Sequence, residues 1–183
     1  MKRLALFFPG IGYTCDRPLL HFSRKLAEEE GYETLCLKFK NFPKNSRGSK
    51  NRMIKCAKRA IEQTEKQLSG VDFSAYEEVV FIAKSIGTVA AGRYSESHLP
   101  AARFILYTPL EETFEKLPKN AIAFIGDKDL WSDVSRVKRL SERMEIPLYT
   151  YEDCNHSLET EDVLKNIDIL KDVMEKTKVF LKY

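Results

Sequence analysis

Three side chains that together can transfer an acyl group occur along this chain in the order serine, aspartate, histidine. Ser85, Asp129 and His156 each lie a few residues after a different apolar, strand-like run. A serine becomes a nucleophile when a histidine removes its proton, and a carboxylate holds that histidine in the required tautomer. We therefore predict Ser85 as the nucleophile, His156 as the general base and Asp129 as the orienting acid.

The segment 83–88, with the sequence AKSIGT, has the composition of a sharp turn between a strand and a helix. A nucleophilic serine at such a turn is strained, and small residues two before and two after it let strand and helix approach closely. Ala83 and Gly87 meet this requirement, and the start of the following helix directs the Ile86 amide towards an oxyanion. The alternative is that Ser85 only caps a helix in a nucleotide-binding sheet.

The first strand-like run ends in a loop with two glycines, FPGIGY at residues 8–13. Glycine permits backbone geometry that other residues resist, so the amides of this loop can supply a second oxyanion donor. We predict that Ile11 is that donor, and that Gly10, Gly12 and Tyr13 contact the substrate. A phosphate-binding loop is the alternative, although the third glycine of a dinucleotide fingerprint and a following Gly-Lys-Ser/Thr are both missing.

The acid and the histidine also have less specific interpretations. In the Gly-Asp-Lys-Asp turn after the fifth strand-like run, both aspartates could be solvated turn residues or helix caps. Asp129, the second, can turn back over the sheet edge, where Trp131 can shield it from water and contact the substrate. No second carboxylate cluster supports a metal site, and we predict neither a metal nor a cofactor. His21 lies within the first predicted helix and His98 lies near the end of the third, whereas His156 follows a strand.

Short β-favouring runs alternate with longer stretches of helical period along the chain. This alternation implies right-handed crossovers and a parallel sheet with helices on both faces, and ligands bind such sheets beyond the carboxyl ends of the strands. The predicted fold is a three-layer α/β/α sandwich around a mostly parallel six-stranded sheet, in a single domain over residues 1–183. The predicted strands are 4–8, 33–39, 78–83, 103–107, 121–125 and 148–151. The predicted helices are 17–30, 50–68, 87–96, 133–144 and 159 to about 180.

Size, charge and cysteine spacing narrow the class of protein. A chain of 183 residues with 43% hydrophobic and 31% charged residues has the size of one globular domain. Its formal net charge of +3 is too small to indicate a nucleic-acid partner. The four cysteines lack paired spacing, which favours reduced thiols. The first apolar run is too short for a signal peptide or a membrane span, so we predict a cytoplasmic protein without a membrane partner.

The basic segment 38–59 and the single residue Lys84 each have both a structural and a functional interpretation. The segment 38–59 contains nine lysines and arginines and no acidic residue. A solvated loop and helix face is the simpler interpretation, and attraction of an acidic substrate or partner is the alternative. Lys84 beside Ser85 suggests a serine-lysine dyad, which we do not favour because neighbouring residues of such a turn point in different directions.

Together these motifs resemble the α/β-hydrolase family over nearly the whole chain, from residue 4 to the final helix. The serine of the family's Gly-x-Ser-x-Gly motif falls on Ser85, and the second acid of its Gly-Asp-x-Asp turn falls on Asp129. Its histidine, before a short Ser-Leu/Phe-Glu run, falls on His156. The family's His-Gly-x loop corresponds to residues 9–11, and the resemblance implies that the Ile11 amide lies in the oxyanion hole.

The chain departs from the family pattern at Ala83, which replaces the first glycine of the serine motif, and at Pro9, which replaces the loop histidine. The usual two leading strands and a lid are also missing. The resemblance therefore implies a minimal, lidless α/β-hydrolase fold and a serine hydrolase for a small soluble ester, thioester or related acyl substrate. A non-catalytic binding module on the same fold, or a doubly wound phosphate- or nucleotide-binding protein, remains an alternative. The oligomeric state does not follow from the sequence.

Overall fold

The structure, a computed structural model, describes residues 2–46, 48–117 and 120–182. Within these residues strands and helices alternate in the predicted order. The strands are β1 (Arg3–Phe8), β2 (Tyr32–Cys36), β3 (Glu78–Lys84), β4 (Arg103–Tyr107), β5 (Ala121–Gly126) and β6 (Leu148–Tyr151). The helices are α1 (Pro18–Glu29), α2 (Lys50–Leu68), α3 (Ile86–His98), α4 (Val134–Arg143) and α5 (Val163–Lys182). Short 3-10 helices at Phe73–Ala75 and Glu111–Glu115 precede β3 and follow β4.

The six strands form one sheet in the order β2-β1-β3-β4-β5-β6, and every neighbouring pair is parallel. The predicted six-stranded α/β architecture is therefore confirmed. The chain moves outwards from β1 to β2 and then returns past β1 to β3, so the direction of the crossovers reverses between β1 and β3. A parallel sheet has its ligand crevice beyond the carboxyl ends of the strands at such a reversal. The loops that follow β1 and β3 should therefore flank the site.

Helices cover both faces of the sheet and divide the core in two. Helices α1 and α5 pack together on one face, where Phe7 and Phe124 are fully buried. Helices α2, α3 and α4 cover the other face, where Phe8, Phe81 and Phe104 are fully buried. The alternation of Phe7 and Phe8 between the two faces follows from the two-residue period of a strand. No helix in the described ranges is long and apolar enough to cross a membrane.

Strand β2 is shorter than the predicted strand 33–39 because helix α2 replaces the sheet as its hydrogen-bond partner. The Leu37 amide still donates to the Phe7 carbonyl at 2.9 Å. Beyond it, the side-chain amide of Gln67 accepts from the backbone N–H of Lys38 and donates to its carbonyl. The side chain of Gln63 pairs in the same way with the backbone of Lys40. These side chains satisfy backbone groups that a longer strand would have paired in the sheet.

Helix α5 begins at Val163 rather than at the predicted residue 159. The carboxylate of Asp162 accepts hydrogen bonds from the amides of Leu164 and Lys165 at 2.8 and 3.1 Å, which is the arrangement of a helix N-cap. Thr160 is bonded to the side chain of Asn166 through both its amide and its hydroxyl. The segment 159–162 is therefore held as a loop against the first turns of α5.

Candidate active site

Ser85 occupies a strained turn between β3 and α3. Its backbone has φ 55° and ψ −125°, a conformation that non-glycine residues rarely adopt and that is most common at functional sites. The turn holds because Thr88 donates to the Ser85 carbonyl through both its amide, at 2.9 Å, and its hydroxyl, at 2.6 Å. Gly87 is required for packing, since a Cβ there would lie 2.4 Å from the Phe8 carbonyl oxygen.

The structure brings Ser85, His156 and Asp129 into one chain of hydrogen bonds. The Oγ atom of Ser85 lies 2.7 Å from Nε2 of His156, and Nδ1 of His156 lies 2.6 Å from Oδ2 of Asp129. A carboxylate can only accept, so Nδ1 carries the imidazole proton and Nε2 accepts from the Ser85 hydroxyl. This is the tautomer in which a histidine can remove a proton from serine.

The carboxylate of Asp129 is held by a second donor and shielded from water. Its Oδ1 atom accepts from the Trp131 amide at 2.8 Å, and the residue is only 5% exposed. The Trp131 ring stacks on the His156 imidazole with centroids 5.4 Å apart and planes 22° apart. Asp127, by contrast, is exposed, and its carboxylate makes no hydrogen bond with a described residue. Asp129 is therefore the aspartate of this turn that contacts the histidine.

The turn after β5 and the loop that carries His156 are joined through their backbones. The amide of Lys128 donates to the Cys154 carbonyl at 3.0 Å, and that of Asp127 donates to the Tyr151 carbonyl at 3.0 Å. Gly126 allows this approach, because a Cβ there would lie 2.1 Å from the Cys154 carbonyl oxygen. The distance between Asp129 and the histidine loop is thus fixed by the backbone as well as by side chains.

Two backbone amides beside Ser85 are available to a bound anion. The loop after β1 closes through a hydrogen bond from the Gly10 amide to the Tyr13 carbonyl at 3.0 Å, so the Gly10 amide is already used. Ile11 and Ile86 donate to no acceptor among residues 2–46, 48–117 and 120–182. Both therefore have the free N–H group that an oxyanion donor requires.

Ser85 lines a cavity of about 330 Å³. Of the residues predicted to contact substrate, Gly12, Tyr13 and Trp131 line it. Gly10 does not line the cavity but packs against Ser85, since a Cβ there would be 3.2 Å from that of Ser85. The other lining residues are Ile11, Arg17, Pro18, Lys84, Ser85, His156, Ser157 and Glu159.

Lys84 is a member of the site whose contacts the sequence did not indicate. Its Nζ atom donates to the backbone carbonyl of His156 at 2.8 Å and lies 5.0 Å from the centre of the Tyr13 ring. The side chain is 1% exposed, and no described carboxylate forms an ion pair with it. Burial lowers the pKa of Lys84 from its ordinary 10.5 to about 7, while Asp129 and Glu159 oppose the shift. Its bond is to the histidine loop, which is not the geometry of a serine-lysine dyad.

The same surroundings keep His156 uncharged. Burial, followed by the positive charge of Lys84, lowers the pKa of His156 from 6.5 to about 4, although its hydrogen bond to Asp129 acts in the opposite direction. Near neutral pH the imidazole is therefore a base ready to accept a proton.

The basic segment 38–59 lies apart from this cavity. Its described lysine and arginine side chains are exposed on α2 and the preceding loop, and none of them lines the Ser85 cavity. Arg47 lies outside the described residues. Attraction of an acidic partner by this segment stays a prediction.

Solved structures share the whole fold, whereas no family model and no curated protein matches the sequence. An α/β serine hydrolase homologue from Coxiella burnetii is 16% identical, with 96% of this chain and 84% of that chain covered and a TM-score of 0.67. An esterase from Pyrococcus furiosus is 13% identical, with 99% and 82% covered and a TM-score of 0.68. A serine hydrolase without a lid from Xanthomonas campestris is 14% identical, with 99% and 83% covered and a TM-score of 0.63.

At sequence identities this low, the comparison shows a shared backbone fold only. The chemistry of this chain has to be argued from its own residues. The alignments nevertheless cover nearly all of this chain and more than four-fifths of each neighbour. The resemblance that the sequence motifs suggest is thereby confirmed at the level of architecture, and the chain has the α/β-hydrolase fold.

Proposed function

We propose that the protein is a serine hydrolase that cleaves a small ester, thioester or related acyl substrate. The observation that carries the proposal is the unbroken chain of hydrogen bonds from Ser85 through His156 to the buried carboxylate of Asp129. A serine that only caps a helix, or that belongs to a phosphate-binding loop, has no need of a neutral histidine and a shielded acid aligned behind it. The α/β-hydrolase fold of the structural neighbours supports the same conclusion.

The first half of the reaction forms an acyl-enzyme. The Oγ atom of Ser85 attacks the substrate carbonyl carbon while its proton passes to Nε2 of His156, and Asp129 stabilises the resulting imidazolium. The carbonyl oxygen becomes an oxyanion, which the amides of Ile86 and Ile11 stabilise. When the carbonyl re-forms, the bond to the leaving group breaks, and the leaving oxygen or sulfur takes the proton from His156.

The second half releases the acyl group as an acid. His156 removes a proton from water, the resulting hydroxide attacks the acyl carbon, and the same two amides stabilise the second oxyanion. Collapse breaks the bond to Oγ, which takes the proton back from His156. Tyr13, Gly12 and Trp131 border the space that the substrate occupies. The cytoplasmic location stays a prediction from the sequence.

Labelling with a fluorophosphonate tests this proposal directly, because only an activated serine reacts rapidly with such a probe. Ser157 provides a matched control, since it lines the same cavity but its hydroxyl makes no hydrogen bond to the imidazole. We expect one adduct, mapped by mass spectrometry to the peptide that contains Ser85. It should be lost in Ser85→Ala and retained in Ser157→Ala.

Hydrolysis of p-nitrophenyl acetate should follow the same pattern in the two variants. Absence of both labelling and hydrolysis in the folded wild-type protein would favour a binding module with this fold. Thermal stabilisation by inorganic phosphate without labelling would favour the phosphate-binding alternative.

A further inference from the structure

A second cavity, of about 250 Å³, adjoins the one that contains Ser85. Pro18, Ser157 and Glu159 line both cavities, so the two share a wall. This wall is formed by the start of α1 and by the residues directly after His156. A substrate group that extends from Ser85 past these three residues would enter the second cavity.

The second cavity is lined mainly by aliphatic side chains. Leu19 comes from α1, Leu158 from the histidine loop, and Val163, Ile167 and Leu170 from α5. The polar exception away from the shared wall is Asn166, whose side-chain amide is already bonded to Thr160 as both donor and acceptor. The interior beyond the shared wall thus offers a ligand apolar contacts and few unused polar groups.

Two of these aliphatic side chains are largely exposed to solvent. Val163 is 70% exposed and Ile167 is 56% exposed. They are four residues apart on α5 and therefore lie on the same face of the helix, beside the cavity. Exposed apolar side chains grouped at the edge of a ligand site are typical of a surface that contacts an apolar ligand.

We propose that this cavity, bounded by Leu158, Val163 and Ile167, is a subsite for a compact apolar group of the substrate, an aliphatic chain or a phenyl ring. The inference rests on the proposed hydrolase function and specifies its substrate class. The apolar group belongs either to the acyl part or to the alcohol part of the ester. Each source has the same chemistry, and two substrate series separate them.

The acyl series is p-nitrophenyl acetate, butyrate and hexanoate, in which the leaving group is constant. The alcohol series is ethyl, butyl and benzyl acetate, in which the acyl group is constant. We expect kcat/KM to rise at least tenfold with apolar size in one series, because a single methylene in an apolar pocket can change discrimination by about tenfold or more. The series that rises identifies the part of the substrate that enters the subsite.

Ile167→Ser tests the subsite itself, with Val179→Ser as its matched control. Val179 is on the same helix and is 59% exposed, but it lines neither cavity. Ile167→Ser should lower the ratio of kcat/KM between the largest and smallest esters at least threefold. Ile167→Trp, which fills the cavity, should lower it further, and Val179→Ser should leave it unchanged.

Two outcomes would overturn the subsite while leaving the hydrolase proposal in place. One is hydrolysis of the esters without a size preference in either series. The other is a preference that Ile167→Ser, Ile167→Trp and Val179→Ser all leave intact. Failure of the proposed function differs from both, because no ester would then be hydrolysed and Ser85 would not be labelled.

Discussion

Two cavities of very different size involve neighbouring residues, since Ser85 lines the smaller and Ile86 lines the larger. The Ser85 cavity has about 330 Å³, whereas a groove of about 920 Å³ runs between α2, α3 and α4. The larger groove is lined by aliphatic side chains such as Met53 and Ile61, and its charged groups include ones already paired, as in the ion pair of Arg93 with Glu115 at 2.8 Å. The smaller cavity is lined by a strained serine, a histidine held in its neutral form, a buried lysine and Ile11, whose amide is free.

The difference shows that convergent polar groups locate chemistry better than volume does. A groove between amphipathic helices arises wherever their apolar faces leave a gap, and it needs no special backbone. The Ser85 cavity needs a positive φ and a buried lysine, and each of these features costs stability, so it is expected to persist where function requires it. The predictions below test the two cavities and the residues that support them.

The largest effect is expected from Ser85→Ala. Loss of the nucleophile should lower kcat for p-nitrophenyl acetate by about 10⁶, as loss of the catalytic serine does in a serine protease. The fold should be retained, because alanine leaves out a hydroxyl whose hydrogen bond is to His156. Circular dichroism and the melting temperature provide the control. Turnover within tenfold of wild type would move the chemistry away from this cavity.

The two aspartates of the turn after β5 should differ by orders of magnitude. Asp129→Asn removes the acceptor that fixes the histidine tautomer, so kcat should fall by about 10⁴. Asp127→Asn changes an exposed carboxylate without a described hydrogen bond, so both kcat and the melting temperature should stay close to wild type. A larger loss of kcat in Asp127→Asn than in Asp129→Asn would contradict the assignment.

The sequence predicts the strands and helices, and the order of the three candidate catalytic residues, because both depend on local patterns. Apolar runs with period two or 3.6 define the strands and helices, and the serine, aspartate and histidine each follow a strand. Side-chain contacts between distant segments leave no such pattern. Gln63 and Gln67, which shorten β2, look like ordinary solvated helix residues, and Lys84 looks like one more surface lysine. Its burial is evident only after β3 is placed at the centre of the sheet.

Lys84 changes the pH dependence that a lone histidine would give. A histidine with an ordinary pKa of about 6.5 loses most of its neutral form by pH 5. Since burial and the charge of Lys84 lower the pKa of His156 to about 4, kcat/KM should stay nearly constant from pH 7 to 5 and fall near pH 4. Measurement of kcat/KM from pH 3.5 to 8, with circular dichroism at each pH, checks this.

The variant Lys84→Met should move this acid-side fall in kcat/KM to higher pH, because it removes one of the two causes that lower the pKa of His156. Burial still lowers that pKa in the variant, and Asp129 still raises it. At pH 5 the variant should therefore lose several-fold more of its kcat/KM, relative to its own value at pH 7, than wild type does. An unchanged pH profile would show that Lys84 does not act electrostatically on the base.

The same variant should stabilise the fold. The folded-state pKa of Lys84, about 7, lies below its ordinary value of 10.5, so the folded protein disfavours the ammonium. This cost is fully present below pH 7 and disappears as the pH rises towards 10.5. We expect Lys84→Met to melt at least about 3 °C higher than wild type at pH 6, roughly the effect of 1 kcal/mol, and to gain less at pH 9. A lower melting temperature at pH 6 would indicate that the bond to the His156 carbonyl outweighs the cost of burial.

The smallest effect should come from the larger groove. Ile54 lines it and is 55% exposed, so serine at this position removes apolar surface from the groove without opening the core. If the chemistry and its subsites belong to the Ser85 side, Ile54→Ser should keep kcat/KM within twofold of wild type for both p-nitrophenyl acetate and hexanoate. The hexanoate ester gives the more sensitive test, because only a substrate with a long acyl chain could reach past the Ile86 side chain into the groove. A loss of more than fivefold confined to hexanoate would assign the groove to the acyl chain and would make it part of the same site.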